Sequence, residues 1–237
     1  MNVAMILAGG VGSRVGADVP KQFIEVQGKP ILVHTVEKFQ ASPEVDAIEV
    51  VCIPGYVEKF ERMVVEYGLT KVRCIVEGGA TYQDSVVNGL DALDGVCGGD
   101  DIVAIHFGAA PFVTQDIIRD SLRVAEEFGN GISSDPVVLC LAVKDPSDGG
   151  RSSVAGCDRD AVMGLNSPQS FRYSLLRDLY DRGAEAGIMG DIDPHTTSLM
   201  AALGERLYFS KGSSLNIKIT SPEDVKLFEA FLVAEAL

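Results

Sequence analysis

The sequence of 237 residues predicts an α/β fold with three layers, α/β/α, Rossmann-like, around a mostly parallel sheet and with one protruding arm. Three observations predict it. Short apolar runs alternate with amphipathic, helix-length segments, the pattern of parallel strands joined by crossover helices. Hydrophobic residues make up 46% of the chain, enough at this length for one large core. No repeat, low-complexity tract or Ser/Pro/Gly-rich linker interrupts the alternation, so residues 1–237 read as one domain.

Residues 3–7 form an apolar run that ends in Ala8-Gly9-Gly10, a buried strand entering a loop. Residues 30–41 read as an amphipathic helix opened by Pro30, whose fixed φ suits a first helical turn. Residues 47–53 give a second strand, 55–67 a helix, 71–76 a third strand and 80–93 another helix. Residues 101–106 are a clear buried strand, followed by a helix over 114–128 and an apolar strand over 137–143. The pattern then fails. Lys144-Asp145-Pro146-Ser147-Asp148-Gly149-Gly150 is polar and turn-rich, and predicts an arm at about 140–166. Helical character returns at 173–187 and 195–203, and the chain ends in a helix at 221–235. Thr220 or Ser221 caps that helix, Pro222 takes its first position, and Glu223 and Asp224 complement its dipole.

The net charge of −14 excludes the basic face that nucleic acid or an anionic membrane requires. It is compatible with a local pocket of Lys and Arg for a nucleotide. No apolar run is long enough to span a bilayer, and the N-terminus lacks the basic start and apolar core of a secretion signal. Cys52, Cys74, Cys97, Cys140 and Cys157 are scattered, odd in number and without a CxxC pair, so they read as reduced thiols of a cytoplasmic protein.

The most informative segment is the loop after the first strand, with Gly9, Gly10, Gly12 and Gly16 followed by Pro20, Lys21 and Gln22. Glycines there let backbone N–H groups close on phosphate oxygens, and Arg14 and Lys21 supply charge for a triphosphate. The P-loop pattern is absent, and Val15 takes the third glycine position of the dinucleotide fingerprint.

The run Ala8-Gly9-Gly10-x-Gly12-x-Arg14-x-Gly16 with Pro20-Lys21-Gln22-Phe23 resembles nucleotidyltransferases of glycosyltransferase-A-like fold. It is most similar to the cytidylyltransferases of methylerythritol phosphate and ribitol phosphate. The likeness continues, in order, through Gly78-Gly79-Ala80-Thr81, Ser85-Val86, Asn88-Gly89-Leu90, Ser167-Pro168-Gln169-Ser170-Phe171 and Asn216-Ile217-Lys218-Ile219-Thr220. It implies in-line attack of an alcohol phosphate on the α-phosphorus of CTP, with pyrophosphate leaving. Such chemistry needs positioning and charge neutralisation more than covalent help.

By the same resemblance, Arg14, Lys21 and Lys218 are catalytic cations on the triphosphate. Ala8, Gly9, Gly10, Gly12, Gly79, Ala80 and Ser85 hold CTP. Arg159, Ser167, Asp193 and Thr196 are on the acceptor side, with Arg159 on an arm that reaches into the partner of a homodimer. Bland readings stand beside these: Lys218 snorkelling out of its apolar run, Arg159 in a surface ion pair, and His195 to Ser198 as a capped helix start.

The chain also departs from the pattern. Phe107 stands where the resemblance implies an Asp ligand of Mg²⁺, which leaves the triphosphate to supply much of the coordination, with Asn216 or a nearby carboxylate helping. Ala110 and Tyr82 stand in place of arginines, and Asp193-Pro194 in place of a Thr-Asp pair. His106 at the strand end reads as structural. Ribitol 5-phosphate and 2-C-methyl-D-erythritol 4-phosphate are the implied acceptors, for cell-wall or capsule precursors in one case and isoprenoid precursors in the other. Ala8-Gly9-Gly10 and Ser170-Phe171-Arg172 lean toward ribitol. A nucleotide-binding regulator is the alternative that Phe107 and Ala110 favour and Arg14, Lys21 and Lys218 oppose. Transfer with another base is the alternative that Tyr82 leaves open.

Overall fold

The computed structural model describes residues 1–10 and 19–235; Gly12 and Arg14 lie outside the described residues. Seven strands build the main sheet: β1 (Asn2–Ala8), β2 (Ala47–Cys52), β3 (Val72–Glu77), β4 (Ile102–Phe107), β5 (Asn130–Pro136), β6 (Met163–Arg172) and β7 (Phe209–Lys211). Their spatial order is β7-β5-β6-β4-β1-β2-β3. β6 runs antiparallel to both of its neighbours, and every other pairing is parallel.

Among the described residues seven α-helices accompany them: α1 (Ile31–Gln40), α2 (Val57–Glu66), α3 (Tyr82–Leu93), α4 (Gln115–Phe128), α5 (Tyr173–Glu185), α6 (Thr196–Ala202) and α7 (Pro222–Glu235). The alternation of β1 sorts them into two layers. Ala4, Ile6 and Ala8 pack with Leu32 and Phe39 of α1, Phe60 of α2 and Ile118 of α4. Val3, Met5 and Leu7 point the other way, onto Val86 and Leu90 of α3, Leu176 of α5 and Met200 of α6. A strand buried on both faces reads as a continuous apolar run. Each fully buried Ile, Leu or Met contributes about 1.5–3 kcal/mol relative to exposure. A third cluster joins Ile31, Ala109, Phe112, Ile219 and Phe228, and seats α7 against the start of α1.

The strand expected at 137–143 is displaced. The sheet strand is β5, whose sequence Asn-Gly-Ile-Ser-Ser-Asp-Pro has almost no apolar pattern. Small residues are required there, because a Cβ at Gly131 would stand 2.3 Å from the Ser121 carbonyl oxygen. The buried hydroxyls of Ser133 and Ser134 are satisfied by the carbonyls of Lys211 and Ser210 on β7. The apolar residues that suggested a strand, Val138 and Leu139, are 72% and 70% exposed on the arm. The arm is a ribbon in which Ala142–Val143 pairs with Ala155–Gly156. It is shorter than the sequence suggests at its far end, since Met163, Gly164 and Leu165 are already paired to β5. No helix among the described residues is long and apolar enough to cross a membrane.

Candidate active site

A cleft of about 570 Å³ opens at the carboxyl ends of β1 and β4, where ligands bind in open α/β sheets. Ala8, Gly9, Gly10, Lys21, Gly79, Ala80, Ser85 and Lys218, predicted from four separate stretches of sequence, all line it.

The floor is two backbone loops in close approach. Gly78 donates its N–H to Cys52 O at 2.7 Å, and a Cβ on Gly78 would stand 3.4 Å from Gly9 Cα. Gly79 leaves no room for a side chain, since its Cβ would stand 2.2 Å from Asp84 Cβ. Ser85 Oγ accepts from Gly79 N at 3.1 Å and donates to Thr81 O at 2.9 Å, so this hydroxyl holds the loop in shape. Thr81 and Asp84 close a capping box that starts α3 just behind it. On the other side, buried Gln22 donates its amide to Ala8 O at 2.6 Å and Gly10 O at 3.0 Å.

The two lysines converge on one segment. Lys21 Nζ donates to Ile219 O at 2.8 Å, and Ile219 N donates to Ala109 O at 2.8 Å. Lys218 lies between the two buried residues of this segment, Asn216 and Ile219, and its ammonium rests 3.4 Å from the centroid of the Phe107 ring.

Three rings form the far wall. Phe107 and His195 meet edge to face at 6.1 Å, and Tyr82 lies 5.3 Å from His195 and 6.2 Å from Phe107. The Tyr82 hydroxyl is 3.3 Å from Thr196 Oγ1, which also lies 3.0 Å from the Tyr180 hydroxyl. Burial pushes the Tyr82 phenol up to about 12, so it stays a neutral hydrogen-bonding group.

Other expected site residues lie elsewhere. Thr196 is fully buried, and its hydroxyl anchors two tyrosines instead of facing the cleft. The exposed Asp193 carboxylate accepts from the His195 ring and backbone and from Ser198 Oγ, which hold it below the usual carboxylate range. It braces the turn that enters α6 and does not line the cleft. Ser167 and Asn216 are buried beside each other, Asn216 Nδ2 donating to Ser167 O at 2.6 Å, and neither lines the cleft. Arg159 is exposed on the arm, its guanidinium against Val138 O.

His106 is fully buried, with Nε2 donating to Ala110 O at 2.9 Å. Burial lowers its imidazole to about 4, so it is neutral near pH 7 and shapes the turn after β4. Ala110 is buried beneath that turn. A bound Mg²⁺ needs oxygen ligands, usually one or two carboxylates. No Asp or Glu lines the cleft among the described residues, Phe107 offers no oxygen, and Asn216, whose amide nitrogen is bonded to Ser167 O, does not line the cleft. The described residues also contain no cluster of three His, Cys, Asp or Glu able to hold a metal. The donor set does not fit an ion held by these side chains.

Sequence reasoning missed Gln22, Thr81 and Thr220 as cleft residues. The signal for Gln22 was its place directly after Lys21, where a buried amide pins the glycine loop.

A family model described as "IspD: 2-C-methyl-D-erythritol 4-phosphate cytidylyltransferase" matches residues 2–234. A ribitol-5-phosphate cytidylyltransferase of Lacticaseibacillus paracasei is 36% identical over 233 residues, covering 98% of each chain. A 2-C-methyl-D-erythritol 4-phosphate cytidylyltransferase of Geotalea uraniireducens is 38% identical over 232 residues, covering 97% of this chain and 95% of its own. Among solved structures, the 2-C-methyl-D-erythritol 4-phosphate cytidylyltransferase of Thermus thermophilus superimposes with a TM-score of 0.75 at 26% identity, over 98% of this chain and 99% of its own.

Proposed function

Because the chain belongs to the IspD family of cytidylyltransferases, we propose that it transfers CMP from CTP to a polyol phosphate, giving a CDP-alcohol and pyrophosphate. The observation that carries this reading is the convergence of Lys21 and Lys218 on one cleft whose floor is glycine backbone.

In-line displacement at the α-phosphorus builds negative charge on the phosphoryl oxygens and on the leaving pyrophosphate. Fixed cations and backbone N–H groups aimed at those oxygens lower the barrier without reorganising. Lys21 approaches from the glycine loop and Lys218 from the opposite wall, with Arg14 the third cation implied by the resemblance. The loops at Ala8–Gly10 and Gly79–Ala80 take the base and ribose, and Ser85 keeps the second loop in register. The acceptor enters beside Tyr82 and His195. Aromatic faces there pack against the C–H side of a polyol, and the exposed imidazole edge meets its hydroxyls.

Ribitol 5-phosphate and 2-C-methyl-D-erythritol 4-phosphate are the two acceptors that the named relatives support. The working unit is a homodimer in the cytoplasm. Arg159 stands on an arm with an exposed apolar flank, Val138 and Val154, and in this unit it serves the partner's acceptor phosphate.

Pyrophosphate release from CTP, measured with each acceptor and with none, tests this reading. Release that depends on one polyol phosphate supports it and names the acceptor. Equal background with both acceptors, despite CTP binding, favours the regulator reading that Phe107 invites.

A further inference from the structure

The wall of three rings carries a polar atom that its own packing leaves over. Phe107 has none, and the Tyr82 hydroxyl lies 3.3 Å from Thr196 Oγ1. His195 has two ring nitrogens. Nδ1 is hydrogen-bonded to Asp193 Oδ1, and Nε2 has no hydrogen-bond partner among the described residues. His195 lines the cleft and Asp193 does not, so the bonded nitrogen turns to a group outside the lining and Nε2 is left for a ligand. The side chain is 41% exposed, so a ligand can reach it.

The ring is held on every other side. Tyr82 lies 5.3 Å away at an interplanar angle of 52°, and Phe107 meets it at 89°. Asp193 is itself fixed, because its Oδ1 also accepts from His195 N at 3.2 Å and from Ser198 Oγ at 3.3 Å. The His195 ring, the His195 backbone N–H and the Ser198 hydroxyl hold the carboxyl below the usual carboxylate range. It is ionised near pH 7, and an ionised carboxylate only accepts hydrogen bonds. The proton of the Asp193–His195 bond therefore sits on Nδ1. In that tautomer the neutral imidazole has a lone pair on Nε2. A hydroxyl donates to such an atom and a phosphate dianion does not. This wall suits the carbon chain of a polyol phosphate, with its phosphate toward the lysine side of the cleft.

We propose that His195 is a specificity-determining residue, accepting at Nε2 a hydrogen bond from one hydroxyl of the acceptor's carbon chain, and that Asp193 is the positioning residue that fixes its proton and its ring. The inference deepens the polyol-phosphate reading and rests on it. It selects an acceptor by a hydroxyl remote from the reacting phosphate.

Rates of pyrophosphate release at saturating CTP test this on the full-length protein, with melting curves to exclude misfolding. The acceptors are ribitol 5-phosphate or 2-C-methyl-D-erythritol 4-phosphate, whichever the wild type uses, and its monodeoxy analogues. Wild type is expected to lose about five- to tenfold in kcat/KM when one particular hydroxyl is missing. His195→Leu is expected to lose a similar factor with the complete acceptor and to become indifferent to that hydroxyl. Its CTP affinity by calorimetry is expected to stay within about twofold of wild type. His195→Gln, whose amide oxygen reaches the Nε2 position, is expected to keep part of the discrimination; a Gln variant as indifferent as Leu overturns the acceptor role of Nε2. Asp193→Ala is expected to lose part of the discrimination, and to add nothing in the His195→Leu background. His195→Leu that discriminates like wild type at every hydroxyl, or that weakens CTP as much as the acceptor, overturns the specificity role. A further loss on adding Asp193→Ala to His195→Leu overturns the positioning role. Failure of wild type to release pyrophosphate with either acceptor overturns the polyol-phosphate reading itself and the inference with it, a result distinct from every variant pattern.

Discussion

Lys21 Nζ donates a 2.8 Å hydrogen bond to the carbonyl of Ile219, the residue next to Lys218. One contact therefore ties the glycine-loop side of the cleft to the segment that carries the second cation. Lys21→Ala is expected to lower turnover by about a hundredfold or more, the scale for losing one fixed donor to a transition-state oxyanion. The fold survives, because the hydrogen bond to Ile219 O contributes only about 1 kcal/mol. Pyrophosphate release at saturating CTP and a thermal melt check the two halves; a near-normal rate removes Lys21 from the reaction.

Gly79 sits where a side chain has no room. An added Cβ would stand 2.2 Å from Asp84 Cβ, so the first turn of α3 must shift. Gly79→Ala is expected to cost about 1–3 kcal/mol by overpacking and to disturb the Thr81–Asp84 capping box. Chemical denaturation measures it. Wild-type stability in this variant means that the loop relaxes freely.

Glu49 is buried in β2, and neither carboxyl oxygen has a hydrogen-bond partner. Burial pushes it up to about 8 from an ordinary 4.5. An acid raised on folding binds its proton more tightly in the native state. Its contribution is therefore complete below about pH 4.5 and is lost as the pH rises toward 8, with a ceiling of about 1.4 kcal/mol per pH unit. Glu49→Gln is expected to flatten the fall in stability across that window. The same slope in mutant and wild type, followed by urea unfolding at several pH values, contradicts the burial argument.

His106 has the opposite sign. Its lowered value of about 4 means that the unfolded chain, at 6.5, takes up a proton first, so its contribution holds above about pH 6.5 and is lost as the pH falls toward 4. Its ring resonances are expected not to titrate between pH 8 and 5.5. A midpoint near 6.5 would mean that the ring is open to solvent and free for proton transfer.

The parallel half of the sheet was legible because β1, β2 and β4 are buried on both faces and are apolar but for Asn2 in β1, Glu49 in β2 and His106 in β4. The antiparallel half was not. β5 is held by the buried hydroxyls of Ser133 and Ser134 and by close packing at Gly131, and β6 contains Asn166, Ser167 and Pro168. Side chains that form hydrogen bonds across a sheet carry no hydrophobic period. The arm drew the strand prediction to 137–143 because apolar residues that stay exposed look, in sequence, like residues bound for a core.

The cleft was legible where function is read from backbone, at Gly9, Gly10 and Gly79, and from lysines in apolar or glycine-rich settings. It was misread at Thr196 and Asn216. The Thr196 hydroxyl is spent on Tyr82 and Tyr180 and the Asn216 amide nitrogen on Ser167, partners that lie 16 to 114 residues away and that no local pattern reveals.

The destination of the α-phosphate tests the central claim most directly. With CTP labelled at the α-phosphorus, the label is expected in a CDP-alcohol formed with ribitol 5-phosphate or 2-C-methyl-D-erythritol 4-phosphate, and the released pyrophosphate is expected to be unlabelled. Label that stays in CTP with both acceptors, under conditions where CTP is bound, contradicts CMP transfer to a polyol phosphate.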